Sequence, residues 1–343
     1  MQIADLMLCL YLLASLGAAG CAVFKKSHDP KEVVAPVATI EHLKAKRDLY
    51  IEAQPHEAMD GVGWPLESKC DGLLFCSLDA VGGAACNPML AEAGDGHWLR
   101  HPDASCYPCG PGKKCSENSK DQFVGLMPYL YRANQLGAVE RLAVYGQAND
   151  WYMGEASDES TKISNELFLP PLRATLFEMQ ARLGGPDNDQ RKIPHAWLPE
   201  ATGFERHLQV IHMAFRGVMQ GGINDLELDY LKACAEKEPH NALYVAAYHR
   251  FKDGDQTAAA ALLDDETRFP NDHLPTSANF CTDYLYQRDE IVAKLALKKC
   301  QPDPAKTCAA YELTPNTDWL PCPAESKTHA GIDFIFTMWV MGL

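Results

Sequence analysis

The spacing of apolar residues along the chain predicts a series of helices joined by polar loops. Apolar side chains recur at helical intervals around 38–50, at 71–78 and at 121–136. Further stretches of this kind cover 138–150, 169–185, 204–222, 224–239 and 241–270. No stretch shows the period-two alternation of a half-buried strand convincingly. We therefore expect an all-α protein.

Residues that begin and end helices mark several of these boundaries. Ser119 and Gln122 have the spacing of a capping box, and Asn224 precedes the segment that starts at residue 225. The pair at 82–83, two glycines, ends the helix that begins near residue 71. Pro128 should kink the helix that contains it.

The last third of the chain contains one helix–turn–helix unit and an apolar end. The unit at 241–270 resembles a tetratricopeptide hairpin, although no strict period links it to the earlier hairpin around 131–142. The terminal stretch HAGIDFIFTMWVMGL has too few apolar residues to cross a bilayer. It predicts a buried closing helix.

The N-terminus carries an apolar run from Leu6 to Ala19, which is too short for a comfortable membrane span and typical of a signal peptide. The run ends in Ala-Ala-Gly-Cys21, which resembles a bacterial lipobox. The resemblance implies that Cys21 is acylated, but Ala18 stands where the motif usually has Leu. Asp5 also precedes the run in place of a basic residue. An ordinary signal peptide and an uncleaved anchor remain alternatives.

These features predict three parts: a signal peptide at 1–20, a tether at 21–45 and a single helical domain at 46–343. We expect an exported protein, held in the cell envelope by an N-terminal membrane anchor. By resemblance to Gram-negative lipoproteins, Ala22 after the cysteine favours the outer membrane over the periplasmic face of the inner one.

Charge and motifs exclude several classes of function. The chain has 46 acidic and 31 basic residues, a formal charge of −15, and it lacks the basic stripe that binding to nucleic acid requires. No phosphate-binding loop, GxGxxG, GxSxG or EF-hand motif occurs. We expect no cofactor and no metal.

Cysteine number agrees with export, because an oxidising compartment would pair most of them. Cys234 lies in a helical pattern far from the others and should remain free and buried. The cysteines expected in disulfides are Cys70, Cys76, Cys86, Cys106, Cys109, Cys115, Cys281, Cys300, Cys308 and Cys322. The pairing stays open. Cys106-Tyr-Pro-Cys109 also fits a metal or redox site, although a zinc ribbon needs a second such pair.

Two carboxylates, Asp71 and Asp121, each begin a predicted helix beside a cysteine-rich loop. They suit a catalytic pair, with one as general acid and the other as base or nucleophile. The alternative is that both only stabilise the helix dipole.

A loop of titratable and aromatic residues lies between the cysteines: Asp95, His97, Trp98, Arg100 and His101. Its residues suit a carbohydrate site, with a ring for stacking, Arg for a carboxylate and His101 for proton transfer. The alternative is an ordered loop whose Trp fills the core.

Five further residues are candidates for substrate binding: Trp151, Arg288, Asp289, His329 and Asp333. Four basic residues of the 204–222 helix carry weaker expectations. His207 and His212 are five residues apart and do not form a zinc pair, so His212 is expected in the core. Arg206 and Arg216 line an anionic cleft or carry plain surface charge.

Helical hairpins, long loops and an apolar last helix resemble the (α/α) toroid proteins, which include glycoside hydrolases and polysaccharide lyases. The resemblance rests on KCDGLLFCSL, GHWLRHP, SKDQFVGLMPYLY and HAGIDFIF. It implies an (α/α) toroid or short solenoid with disulfide-stapled loops, and a cleft at the N-termini of the inner helices. Ring closure would also bring His329 towards Asp71.

The first hypothesis is therefore an enzyme, a hydrolase or lyase that acts on a polysaccharide by acid/base chemistry. A lyase would need Arg to neutralise a uronate and His or Tyr as base. The second hypothesis is a non-catalytic, tetratricopeptide-like envelope lipoprotein that binds a protein partner. A mobile-element surface protein with this fold and no chemistry is a third.

Overall fold

A computed structural model describes most of the chain: residues 28–54, 56–59, 62–65, 72–102, 118, 120–153, 168–192, 203–266, 269–274 and 331–343. Ten α-helices lie in these ranges: α1 (Val37–Ala53), α2 (Gly72–Gly82), α3 (Lys120–Arg132), α4 (Leu136–Ala148), α5 (Pro170–Arg182), α6 (Gly203–Gln220), α7 (Asp225–Lys237), α8 (Ala242–Lys252), α9 (Thr257–Asp264) and α10 (Ile332–Met341). Short 3-10 helices cover Pro88–Ala91 and Asp189–Lys192. The all-α prediction is confirmed.

Local sequence explains where several of these helices begin and end. The Asn224 side chain accepts a hydrogen bond from the Glu227 N–H, and the Glu227 carboxylate accepts one from the Asn224 N–H, both at 3.0 Å. This capping box begins α7 as predicted. Gly83, which follows α2, has a φ of +108°, a conformation that favours glycine at the end of a helix.

The expectation that the chain has no strand is wrong for one short segment. His56–Met59 and Val62–Pro65 pair as an antiparallel hairpin, with Met59 opposite Val62. Two residues, Asp60-Gly61, separate the strands in the sequence. Asp-Gly between two short segments is a sequence indication of a hairpin, and the expectation of no strand gave it too little weight.

The helices differ in how far they are buried. Every residue of α2 from Gly72 to Asp79 is buried, as are eight of the ten residues of α10. Helices α1, α4, α7 and α9 instead keep an exposed side. A helix that is apolar all round belongs in the interior, whereas an amphipathic helix covers it. The prediction of a buried closing helix is confirmed.

The buried helices pack in a closed circuit, in which α2 contacts α3, α3 contacts α6, α6 contacts α8, α8 contacts α10, and α10 returns to α2. Among the described residues, no helix combines the length and hydropathy needed to cross a membrane.

Two contacts fix the direction of α6 relative to its neighbour α5. Thr175 in α5 hydrogen-bonds to His212 in α6, and about two turns later Arg182 donates a hydrogen bond to the Gln220 carbonyl. Residue numbers therefore rise in both helices from the first contact to the second. Helices α5 and α6 therefore run parallel.

Helix α8 runs parallel to α6 as well. The rings of His207 and Tyr244, near the two N-termini, have centroids 5.9 Å apart. Gly217 faces Phe251 near the two C-termini, closely enough that a Cβ at residue 217 would lie 2.5 Å from the ring.

Helix α3 has the same direction. Phe123 in its first turn packs edge-on against Phe168, just before α5, with centroids 5.0 Å apart. Tyr131 near its end packs against Phe215 in the second half of α6. Helices α3, α5, α6 and α8 therefore run parallel. The toroid itself stays a prediction, because residues 275–330 are outside the described ranges.

One disulfide lies in the described ranges, between Cys76 and Cys86. It joins the middle of α2 to the loop that follows this helix. Cys234 is free and buried, as predicted. The other cysteines expected to pair, and Cys21, lie outside the described residues: Cys70, Cys106, Cys109, Cys115, Cys281, Cys300, Cys308 and Cys322.

Candidate functional site

The first turns of α2 and α3 lie side by side. The Gln122 side-chain oxygen accepts a hydrogen bond from the Leu74 N–H at 3.0 Å, and Gly125 allows α3 to approach the Leu74 backbone. Asp121, in the first turn of α3, is half-buried at this end of the helix pair. Asp71 lies outside the described residues, so the catalytic pair stays a prediction.

Three residues of the predicted carbohydrate loop pack into the interior beside this end of α2. Trp98 is 1% exposed, His101 2% and Arg100 8%. The Arg100 carbonyl accepts a hydrogen bond from the Leu73 N–H at 2.9 Å, and His101 packs edge-on against Trp64. The loop therefore closes the start of α2, as in the structural alternative. Substrate binding by these buried side chains stays a prediction.

The other two residues of the loop lie towards α4. The His97 ring stacks on Tyr145 with centroids 5.1 Å apart, and the exposed Asp95 accepts a hydrogen bond from the His97 N–H. Gly96 between them has a φ of +88°, and a Cβ there would collide with the Arg141 carbonyl. This close approach seats the loop on α4.

Trp151 is also part of the hydrophobic core. It is 7% exposed, stacks on Phe168 and meets Phe177 edge-on, while the Arg173 guanidinium lies 4.9 Å from its ring centroid. Asp333 is half-buried in the first turn of α10. The remaining candidates, Arg288, Asp289 and His329, lie outside the described residues.

A second group of polar side chains lies at the N-terminal ends of α6 and α8. Arg206 donates to the Glu238 carboxylate at 2.8 Å, and both side chains are less than a tenth exposed. His207 and Tyr244 are 1% and 0% exposed. The expectation of plain surface charge for Arg206 is therefore wrong.

Burial sets the protonation of this second group. It raises the pKa of Tyr244 well above its usual value, and the neighbouring Glu238 charge adds to the effect. Within the described part of the chain, the Tyr244 hydroxyl has no hydrogen-bond partner. Burial also raises the pKa of the Cys234 thiol to about 11, although Arg206 opposes the shift. A neutral phenol and thiol thus lie close to a buried ion pair.

The middle and C-terminal half of α6 carry a different network. Arg216 pairs with Glu227 of α7 and donates to Gln220, and it is buried rather than on the surface. Burial lowers the pKa of Arg216 to about 10, against the nearby Glu178 charge. His212 is buried against Thr175, which confirms its predicted place in the core. These contacts connect α6 to α5 and α7 and stabilise the packing of the three helices.

The second group of residues was largely missed by sequence reasoning. In the sequence, Arg206 and His207 stand out only beside Arg216 and His212 of the same helix, and nothing marks Tyr244 or Glu238 as their neighbours. One local indication existed. Asn241 caps α8 and so places Tyr244 in its first turn. Only the parallel packing of α6 and α8 brings that turn to Arg206.

No group of three His, Cys, Asp or Glu residues in the described ranges could hold a metal ion. Comparisons with known proteins add no assignment, since no family model, curated protein or solved structure matches this chain.

Proposed function

We propose that this chain is an exported, lipid-anchored envelope protein that acts on a polysaccharide by acid/base chemistry. One observation carries the proposal: Asp121, Arg206, His207 and Tyr244 all lie at the N-terminal ends of helices α3, α6 and α8. Because these helices run parallel, their N-termini share one end of the molecule. That end is where a toroid of this kind would place its cleft.

These residue types suit an acidic glycan. The N-terminal ends of helices favour negative charge, and a guanidinium binds a carboxylate in a defined geometry. Arg206 could therefore neutralise a uronate, with Tyr244 or His207 as the group that moves a proton. The disulfide between Cys76 and Cys86 supports the export part of the proposal, because such bonds persist in oxidising compartments.

The test is an assay of the full-length protein against a panel of acidic and neutral polysaccharides. New reducing ends alone would indicate a hydrolase, whereas ultraviolet absorbance of an unsaturated uronate would indicate a lyase. Tyr244→Phe should lower the rate about 100-fold or more if Tyr244 moves a proton.

Tyr248→Phe is the matched control, because residue 248 lies one turn further along α8 and is only half-buried. It should keep the wild-type rate. Both variants should retain the wild-type melting temperature within a few degrees. Equal rates for the two variants would show that Tyr244 does not move a proton. If no glycan gives a product, the proposal that this protein is an enzyme acting on polysaccharides is wrong.

A second candidate function is a non-catalytic, tetratricopeptide-like lipoprotein that binds a protein partner. It is favoured by the burial of Trp98, His101 and Tyr244, which are at most 2% exposed. In this function, the three side chains would stabilise the fold without contacting a ligand. Inactivity on all glycans, together with one partner captured by cross-linking in the envelope, would support this function.

A further inference from the structure

The first described residues of the chain form a strap, residues 28–35, that is bound to the body of the protein. His28 and Ile223 exchange two backbone hydrogen bonds, at 2.7 and 3.0 Å. Lys31 donates to the Arg250 carbonyl at 2.8 Å, and Val34 donates to Gly254 at 2.9 Å. This part of the predicted tether therefore lies packed on the helical domain.

The strap crosses the end of the molecule opposite the N-termini of α3, α6 and α8. Ile223 follows α6, and Gly254 follows α8, so the strap contacts the C-terminal ends of these two helices. Gly254 has a φ of +79°, and a Cβ there would collide with the Glu32 carbonyl. Arg250 donates to the carbonyls of both Lys31 and Met341, which adds the end of α10 to the same face.

The strap begins close to the predicted lipidation site in sequence. Residue 28 is seven residues after Cys21. Even a fully extended chain of this length spans only about 25 Å. A lipid on Cys21 would therefore hold the strap, and the helix ends beneath it, within that distance of the bilayer surface.

Exposed apolar side chains lie on this face. The large hydrophobic residues that stand out as exposed in the described ranges are Val34 at 59%, Val37 at 75%, Leu226 at 74% and Val144 at 64%. Val34 lies in the strap, and Val37 begins α1 directly after it. Leu226 follows Asp225, whose carboxylate bonds to His28 at 2.7 Å. Only Val144, on α4, lies elsewhere.

We propose that this strap face, with Val34, Val37 and Leu226, rests on the surface of a phospholipid bilayer. The inference relies on the lipid anchor of the proposed function. A short segment joins the anchor to this face, so the three apolar side chains stay at a high effective concentration near the bilayer. Even weak insertion of these side chains therefore strengthens membrane binding. The N-terminal helix ends then point away from the membrane, towards soluble substrate.

Fluorescence quenching tests the orientation. Leu226→Trp and Val144→Trp are each made in the full-length acylated protein and placed in vesicles that contain brominated phosphatidylcholine. The added fluorescence should be quenched at residue 226 and unaffected at residue 144. Equal quenching at the two positions, or none at residue 226, overturns the proposal.

A second experiment separates the face from the anchor. Incorporation of labelled palmitate, with Cys21→Ser as control, reports the lipid alone. The Cys21→Ser chain should still bind weakly to vesicles of phosphatidylethanolamine and phosphatidylglycerol. Adding Val34→Ser, Val37→Ser and Leu226→Ser should weaken this binding about tenfold, whereas Val144→Ser should not.

The outcomes distinguish the two proposals. Vesicle binding without palmitate incorporation would contradict the lipid anchor and leave the strap face intact. Palmitate incorporation with no effect of the three serines would contradict the strap face alone. If the three serines instead abolish a dimer in solution and leave vesicle binding unchanged, the face binds a second copy of the chain and the proposal is wrong.

Discussion

Two histidines of one helix show how burial decides the role of a residue. His207 and His212 are five residues apart in α6, and both are less than 5% exposed. His207 lies beside Tyr244 at the candidate site, whereas His212 bonds to Thr175 inside the bundle. Burial, helped by the charge of Arg216, lowers the pKa of His212 to about 3. His212 is therefore neutral at physiological pH.

This shift predicts that acid destabilises the protein. The folded pKa of His212 lies below the unfolded value of 6.5, so the unfolded state binds more protons between these limits. The contribution is complete above pH 6.5 and is lost as the pH falls towards 3. Between pH 7 and pH 4.5 the free energy of unfolding should fall by about 2–3 kcal/mol from this residue.

Urea denaturation at the two pH values measures the effect. His212→Gln should cost stability at neutral pH and lose most of this acid sensitivity. His249→Gln is the control, because the His249 side chain is 20% exposed and pairs with Asp253 at the end of α8. It should keep the wild-type acid response. An equal response in His212→Gln would mean that His212 is not the group responsible.

At the scale of elements, the loop that carries residues 95–101 is held by two backbone contacts. The Arg100 carbonyl bonds to the start of α2, and Gly96 fits against the Arg141 backbone of α4. Two glycines of this loop, Gly94 and Gly96, have the same φ of +88°. They differ in their surroundings, because a Cβ at residue 94 would meet nothing within 4 Å.

These glycines form a matched pair of variants. Gly94→Ala should lower the free energy of unfolding by about 1 kcal/mol, because a left-handed backbone disfavours a Cβ. Gly96→Ala carries the same backbone cost and a collision with α4, so we expect a loss of about 3 kcal/mol or more. Chemical denaturation measures both. Equal losses would show that the loop yields easily and is not seated on α4.

At the scale of the whole molecule, the last helix joins the two halves of the chain. Helix α10 packs against α1 and α2 from the first half and against α8 from the second. Ile335 is fully buried, and Gly82 of α2 leaves it room by having no side chain. The protein should therefore unfold as a single unit, although the helices are distant in sequence.

Ile335→Ala tests this coupling. Removing a fully buried isoleucine should lower the free energy of unfolding by about 2–5 kcal/mol, through lost burial and the cavity left behind. Val144→Ala, on the exposed side of α4, should change it by less than about 0.5 kcal/mol. Circular dichroism and tryptophan fluorescence should report one shared transition. Two separate transitions would contradict a single domain.

The sequence predicted most elements because their determinants are local. Asn224 and Glu227 form a capping box from three residues' separation, and Gly83 supplies the backbone conformation that ends α2. The final apolar run is buried as expected. The pairing of His56–Met59 with Val62–Pro65 has an equally local indication in the sequence Asp60-Gly61, but the weak alternation of the two segments favours a loop.

The loop residues that the sequence predicted to bind carbohydrate depend on contacts that are not local. The sequence selected Trp98, Arg100 and His101 because loops with such residues often bind ligands. Their burial depends on Trp64 and on the first turn of α2, which only the folded chain brings to them. Residue type alone does not distinguish a ring that fills the core from one that meets a sugar.

By itself, then, the sequence determined the all-α class, most helix boundaries and the free, buried state of Cys234. Each of these follows from apolar spacing, caps or cysteine number within short segments. The tertiary structure decided that α3, α5, α6 and α8 run parallel, that Arg206 meets Glu238, and that the strap lies at the opposite end. Such contacts join residues far apart in the chain, and they form because one packing of the helices buries most of their apolar surface at once.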